Sequence, residues 1–191
     1  MKANDPCHQR LTPNLQKGRI SLPYARYFIT CASKRPQKRM TETIPALTIK
    51  NAIKRLQESG DITLLCGIIM PDHVHLLVVL KDKLSIGQVV GKFKSLTKIC
   101  LSKYGIHWQR NYFEHRLRED ELLSNYARYI FLNPYRSGFI QCDVEWPHWM
   151  LNGNVDFDFM EFLDERRFPP KEWLDVPPAK LGINPQNIGN D

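Results

Sequence analysis

The sequence has few cysteines, no long apolar run and no internal repeat, and each absence argues against a class of protein. Its five cysteines are scattered, odd in number and free of any CxxC spacing, which argues against a disulfide framework and a zinc ribbon. No stretch approaches the roughly 18 apolar residues of a membrane span, and the polar first residues lack the apolar core of a secretion signal. We therefore expect a cytoplasmic protein with no membrane partner.

The composition indicates one globular domain with an excess of basic residues. A chain of 191 residues, 42% of them hydrophobic, can bury one core but is short for two ordinary domains. Its formal net charge is +7 at pH 7. A positive chain attracts polyanions such as nucleic acids, although charge alone does not say which one.

Apolar periodicity predicts four strands and three helices. Runs rich in aromatic and β-branched residues predict strands at 24–32, 62–70 and 73–80, and an extended segment at 107–118, whereas helical spacing predicts helices at 43–56, at 86–100 and in a segment that ends near Asn133. The order strand, helix, strand, strand, helix, strand predicts an α+β fold with a ferredoxin-like split β-α-β antiparallel sheet and an added C-terminal helix. An RNA-recognition module has the same order, so the fold alone does not determine function.

A histidine pair interrupts the third predicted strand. His73 and His75 are two residues apart, so they share one face of the strand about 7 Å apart and could bind one metal ion. A histidine among apolar residues can equally be a hydrogen-bonded core residue. On the last predicted helix, Tyr129 and Asn133 stand one turn apart on one face, with Tyr126 a turn earlier.

Three stretches that contain these residues resemble a known family. "PDHVHLLVVL", "WQRNYFEHRLR" and "RYIFLNPYRSGF" are similar, in order and spacing, to the signatures of REP-associated tyrosine transposases, which are single-tyrosine HUH endonucleases. The resemblance covers roughly residues 24–140. It implies a catalytic domain at 21–142, preceded by a tail at 1–20 and followed by an extension at 143–191 of unassigned role.

The resemblance also implies a reaction and a set of site residues. Single-stranded DNA would be cleaved and rejoined at repetitive hairpins through a 5′-phosphotyrosine, with Tyr129 as the nucleophile. His73 and His75 correspond to the HUH histidines, and Asn133 to the polar residue that completes the metal site. Two histidines would also accept zinc or another transition metal. The resemblance implies magnesium or manganese, which would polarise the scissile phosphate as a Lewis acid.

Capture of a single strand requires cations for the phosphates and aromatic rings for unpaired bases. The expected partner is single-stranded DNA with hairpins, bound by a monomer or a homodimer. The basic segment 33–40 could be a DNA contact or merely a solvated loop, and Trp146 and Trp149 are expected to pack in the core. The candidate DNA-binding residues are Lys34, Arg35, Lys94, Lys98, Trp108, Arg110, Tyr112, Arg116 and Arg136.

Two other functions remain compatible with the sequence. A ferredoxin-like sheet can bind single-stranded nucleic acid without cutting it, but binding alone requires none of His73, His75, Tyr129 and Asn133. A metal-dependent phosphoesterase that uses water would need the histidines and leave Tyr129 a structural role. A covalent protein–DNA adduct distinguishes the transposase from both alternatives.

Overall fold

The computed structural model describes residues 20–34 and 39–184. The predicted N-terminal tail, up to residue 19, and the candidate residue Arg35 lie outside these ranges. Within the described ranges, five strands and three α-helices follow one another: β1 (Arg26–Ala32), α1 (Thr43–Glu58), β2 (Ile62–Ile69), β3 (His73–Leu80), α2 (Ile86–Lys103), β4 (Phe113–Arg116), α3 (Leu123–Arg136) and β5 (Trp149–Leu151).

The five strands form one antiparallel sheet in the order β4-β1-β3-β2-β5. The first four have the order of a ferredoxin-like split β-α-β sheet, so the predicted fold class is confirmed. A short turn at residues 70–72 joins β2 to β3, which makes these strands an antiparallel hairpin. Helices α1 and α2 provide the longer connections from β1 to β2 and from β3 to β4.

Both faces of the sheet are covered, because side chains along each strand alternate between two apolar layers. Ile29 and Val74 point into a core shared with α1 and α2. Phe28 and Leu77 point the opposite way, into a core shared with α3 and the C-terminal segment. Burial on both faces explains why β2 and β3 read as nearly continuous apolar runs. The histidine pair belongs to the α3 face, since His73 and His75 alternate with Val74.

The segment after residue 142 completes the core on the α3 face. Strand β5 pairs with β2 at the sheet edge, and Phe157, Phe159 and Leu181 are buried against α3. The indole of Trp146 donates a hydrogen bond to the Ile69 carbonyl at 3.0 Å. The packing roles predicted for Trp146 and the half-buried Trp149 are confirmed. Up to residue 184, the C-terminal extension packs on the same core as the catalytic domain.

Helix α3 ends later than the sequence predicted. Because the residue before a proline is usually pushed out of helical geometry, we expected the helix to stop near Asn133. That prediction is wrong: the helix continues through Pro134 to Arg136. Proline so close to the C-terminal end interrupts little of the helical hydrogen-bond pattern, and Asn133 and Pro134 are both buried in packed surroundings. Asn133 therefore keeps its helical position one turn after Tyr129.

Candidate active site

His75 lies at the centre of a buried polar cluster. Its side chain is fully buried beneath α3, and its Nε2 is 3.2 Å from the amide nitrogen of Asn133. With the amide in this orientation Nε2 accepts, so Nδ1 carries the proton and donates to the hydroxyl of Thr30 at 2.8 Å. Thr30 stands directly opposite His75 on β1. Burial lowers the pKa of His75 well below its usual value, and nearby His73 lowers it further, so the ring is neutral near pH 7.

The two ring nitrogens of His73 differ, because one has a protein partner and the other has none among the described residues. Its Nδ1 lies 2.8 Å from a carboxylate oxygen of Asp72, which can only accept, so Nδ1 carries a proton. Its Nε2 is buried and makes no hydrogen bond within the described residues. The two histidine rings are 4.6 Å apart, centroid to centroid, and nearly perpendicular. A buried ring nitrogen without a protein partner, beside a second imidazole, is a suitable position for a metal ligand.

Helix α3 brings Tyr129 to the histidines. The Tyr129 ring centroid is 6.0 Å from that of His75, and the side chain is 4% exposed. Phe28 on β1 stacks on His75 at 5.2 Å and meets Tyr129 edge-on at 6.1 Å. Asn133, one turn later, contacts His75 directly. The structure therefore brings together all four residues that the sequence singled out as nucleophile and ligands.

The donor set suits a divalent ion, with one rearrangement. Among the described residues no three or more histidine, cysteine, aspartate or glutamate side chains are grouped to hold a metal. A third protein ligand beside the two histidines would therefore have to be another kind of side chain, such as the amide of Asn133. Asn133 now donates to His75, and its oxygen is 3.5 Å from the Ser137 hydroxyl. It would become a ligand only through that oxygen, after the amide turns over. His73 needs no such change, since its Nε2 is already free of protein partners within the described residues.

A second polar cluster stands beside the first and is built on Glu121. The carboxylate accepts hydrogen bonds from the Tyr126 hydroxyl at 2.5 Å and the Arg118 backbone at 2.7 Å, and lies 2.8 Å from Nε2 of His115. His115 stacks almost parallel on the Tyr126 ring at 5.7 Å. Tyr126 is 1% exposed, so its ring packs in the core and leaves no room for base stacking. The cluster ties β4 and the start of α3 together and so supports the position of Tyr129.

Replacing Glu121 by glutamine should destabilise the protein in a pH-dependent way. Burial alone would raise the pKa of Glu121, but its hydrogen bonds lower it from 4.5 to about 2. A carboxylate whose pKa is lower in the folded than in the unfolded protein stabilises the fold at pH values above its unfolded pKa. This stabilisation, here about 3 kcal/mol in all, is lost as the pH falls toward the pKa of the folded state. In urea unfolding, the gap between wild type and Glu121→Gln should be largest near neutral pH and narrow below about pH 4.5. A gap that stays constant with pH would show that the charge of Glu121 is not the stabilising feature.

Several candidate DNA-binding residues have internal partners. Lys94 is half-buried, and its ammonium group donates to the carbonyls of Gln109 and Asn111, both at 2.9 Å, and lies over the Tyr112 ring. Burial lowers the pKa of Lys94, and Cys31 partly offsets this effect. The loop before β4 is therefore fastened to α2 by Lys94. These contacts give Lys94 and Tyr112 a structural role, which the sequence did not predict.

Trp108 and Arg136 are also engaged within the fold. The Trp108 indole donates to the Thr97 hydroxyl at 2.8 Å and packs on Phe93. The Arg136 guanidinium donates to the carbonyls of Trp173 and Val176 in the C-terminal segment. Burial lowers the pKa of Arg136, whereas Tyr129 raises it. Arg136 thus links the C-terminal segment to the candidate nucleophile.

The other candidate cations are exposed but do not all lie on the histidine face. Lys34, Lys98, Arg110 and Arg116 are exposed. Lys98 belongs to α2, on the opposite side of the sheet, and Arg116 pairs with Tyr27, whose side chain enters the α1/α2 core. The structure therefore divides the predicted cations between two faces. DNA contact by the exposed four stays a prediction, and a strand that reached both Lys98 and the histidines would have to pass around a sheet edge.

Three supporting residues were not identified from the sequence. Asp72 immediately precedes His73, so an acidic neighbour of the histidine pair was a visible signal for its role. Thr30 is 45 residues from His75 and meets it only through the β1–β3 register. Glu121 is a single acid in an acidic segment, and nothing in the sequence distinguishes it from Glu119 and Asp120 beside it.

The chain that carries this sheet, histidine pair and helix-borne tyrosine matches a transposase family. The family described as IS200-like transposase matches residues 24–131, which is more than half of the chain, and the chain belongs to this family. Membership in a transposase family implies an enzyme that cleaves and joins DNA. The matched range contains β1 to β4 and Tyr129, and it ends two residues before Asn133.

Within that family the chain is similar to REP-associated tyrosine transposases. A "putative REP-associated tyrosine transposase" of Haemophilus influenzae is 28% identical over 147 residues, which span 69% of this chain and 78% of the relative. The REP-associated tyrosine transposase of Escherichia coli is 20% identical over 140 residues, 69% of this chain and 84% of the relative. The resemblance inferred from the three stretches is confirmed.

The fold also has a solved counterpart. The structure of a REP-associated tyrosine transposase bound to a REP hairpin superposes with a TM-score of 0.59 at 17% identity, over 83% of this chain and 88% of the other. At this identity the likeness concerns the fold alone. No helix in ranges 20–34 and 39–184 is long and apolar enough to cross a membrane.

Proposed function

We propose that this protein is a metal-dependent endonuclease and strand transferase for single-stranded DNA that acts beside repetitive hairpins through a 5′-phosphotyrosine intermediate. The observation that carries the proposal is the position of Tyr129 beside His75, which in turn lies beside His73, although the tyrosine and the histidines come from elements about 50 residues apart in the chain. The REP hairpin in the solved counterpart supports the substrate class. Neither a binding module nor a packed core requires a tyrosine at this position.

The proposed step is an in-line displacement at phosphorus. The phenolic oxygen of Tyr129 forms a bond to the scissile phosphate while the bond to the 3′ oxygen breaks, and the phenolic proton passes to that leaving oxygen. The downstream strand stays attached through its 5′ phosphate, so attack by another 3′ hydroxyl reverses the step and joins DNA. Tyrosine has an ordinary pKa near 10 and is a weak nucleophile when protonated.

His73 and His75, with Asn133 after its amide turns over, would hold magnesium or manganese. When bound, such an ion would stabilise negative charge on the phosphate oxygens. Asp72 and Thr30 would orient the two imidazoles by holding their Nδ1 atoms, which leaves each Nε2 directed at the shared site. The low pKa of His75 keeps that ring neutral and able to bind a cation near pH 7.

The decisive experiment is a search for a covalent adduct with two matched substrates. A DNA hairpin with a single-stranded flank, incubated with the protein and manganese, should yield a protein–DNA band that survives denaturing electrophoresis. The same hairpin with its flank paired to a complementary strand should give almost none, because a tyrosine that is 4% exposed on a rigid helix cannot reach a phosphate inside a regular duplex.

Each alternative function has its own outcome in this assay. Cleavage without an adduct would indicate a phosphoesterase that uses water, and binding with neither cleavage nor an adduct would indicate a binding module. Equal cutting of the paired flank would contradict the single-strand requirement. Binding to the hairpin should also weaken steeply with salt, because phosphate contacts release counterions.

A further inference from the structure

A cavity of about 340 Å³ lies across α3 from the histidines, and the proposed reaction does not use it. Its wall contains Phe131 and Tyr135 of α3 together with Trp146 and Trp149. Its volume is at the lower end of small-molecule pockets, about 300–1,000 Å³, which suits one planar ring system. Phe131 follows Tyr129 by two residues, about 200° around the helix, so the cavity is roughly one helix diameter, about 10–12 Å, from the candidate active site.

The aromatic wall is rigid before any ligand arrives. The indole of Trp146 is fixed by its hydrogen bond to the Ile69 carbonyl, and the Tyr135 hydroxyl donates to the Val144 carbonyl at 3.2 Å. Phe131 meets the Trp149 ring edge-on at 5.4 Å. Rings held in this way can accept a flat ligand without losing further conformational freedom, and flat aromatic ligands stack on such surfaces.

The rim carries charges of both signs that the fold does not use. Glu145, Arg166 and Arg167 line the cavity and are exposed, and their side chains make no hydrogen bond or ion pair with any described residue. Arg167 has a φ of 65°, in the left-handed region that favours glycine, so the chain keeps an arginine where its backbone is strained. Asp164 closes this turn by accepting from the Arg166 backbone at 3.0 Å. The turn presents both guanidinium groups at the cavity.

We propose that this cavity binds one unpaired purine base of the DNA strand, with the base against the aromatic wall and its polar edge between Glu145 and the two arginines. A purine offers an amino group that a carboxylate can accept from, and ring nitrogen or carbonyl acceptors that a guanidinium can donate to. Thymine has no amino group and would leave Glu145 without a partner. The inference rests on the proposed function and adds to it a recognition site for a nucleotide near the cleaved phosphate.

The test is a binding series on a DNA hairpin whose single-stranded flanks contain only adenine and guanine. One flank base at a time is removed to leave an abasic site, and the dissociation constant is measured by fluorescence anisotropy without added metal. In wild type, one position should weaken binding about tenfold when its base is removed, the scale of one lost stacking contact. Replacing that base by thymine should have a similar effect.

Variants of the cavity identify the base that it binds. In Trp149→Leu, and in the double variant Glu145→Gln, Arg166→Gln, removal of the same base should change binding by less than about threefold, since the contact is already lost. The double variant alters only exposed side chains, so it remains informative if Trp149→Leu folds poorly. The matched control is Arg55→Gln, an exposed arginine on α1 across the sheet, in which the full effect should persist.

Two results would overturn the inference, and they differ in what else they affect. If wild type binds the hairpin but every position responds equally in wild type and in the cavity variants, the cavity is not a base site and the proposed function stands. If wild type binds none of these oligonucleotides at any concentration tested, the proposed function fails and the inference fails with it.

Discussion

Replacing Tyr129 by phenylalanine is expected to abolish both DNA cleavage and the covalent adduct while leaving hairpin binding unchanged. The substitution removes one oxygen atom and keeps the ring that packs beside Phe28 and His75, so the fold should lose only about 1 kcal/mol. Because no other atom of the side chain can attack phosphorus, the expected loss of activity is complete. Mass spectrometry of the wild-type adduct should find the 5′ phosphate of the downstream DNA on the peptide that contains Tyr129.

Tyr126→Phe is the matched control, since both tyrosines are buried on α3 three residues apart. It removes a hydroxyl that donates to the Glu121 carboxylate at 2.5 Å, a charge-assisted bond worth about 2 kcal/mol. Tyr126→Phe should therefore unfold more easily than Tyr129→Phe and yet keep substantial cleavage. An adduct that maps to Tyr126, or cleavage by Tyr129→Phe, would overturn the assignment of the nucleophile.

The second large effect is expected for the histidines: His73→Ala or His75→Ala should abolish cleavage and leave most hairpin binding intact. Both rings are proposed to act on the scissile phosphate through a shared ion, whereas most of the hairpin affinity is expected from contacts of exposed cations with other phosphates. His73→Ala is the cleaner variant, because His75 is fully buried and its removal also leaves a cavity and unpaired partners. Metal-dependent cleavage, hairpin affinity and the urea midpoint should be measured together.

Two further variants show whether a loss of cleavage in the histidine variants is specific to the proposed metal site. His107→Ala changes an exposed histidine outside the site and should cleave as well as wild type. Asn133→Ala should cleave poorly at low manganese and recover partly at high manganese, as expected when one of three ligands is lost. If cleavage and hairpin binding fell equally in a stably folded His73→Ala protein, the pair would be structural and the metal proposal would be wrong.

Local patterns in the sequence were sufficient for the first four strands and the three helices, but not for β5, and for the faces on which the candidate residues lie. Alternation along β3 placed His73 and His75 on one face, and helical spacing placed Tyr129 and Asn133 one turn apart, because both relations depend only on the period of a single element. The order of elements then specified the strand order of the first four strands, since connections of this kind have few compatible topologies. The helix end at Asn133 was wrong because tertiary packing overrode a local proline preference.

Only the tertiary structure decided which distant residues meet and which face each candidate occupies. Thr30 reaches His75 through strand register, Glu121 joins β4 to α3, and Arg136 is committed to the C-terminal segment. The sequence does not distinguish a basic side chain that lies in a DNA-binding groove from one that donates to a carbonyl within the fold. Lys94 and Arg136 were therefore predicted to bind DNA, although both have partners inside the protein. The division of the cations between the two sides of the sheet, and the aromatic cavity across α3, depend on packing between elements that no local pattern records.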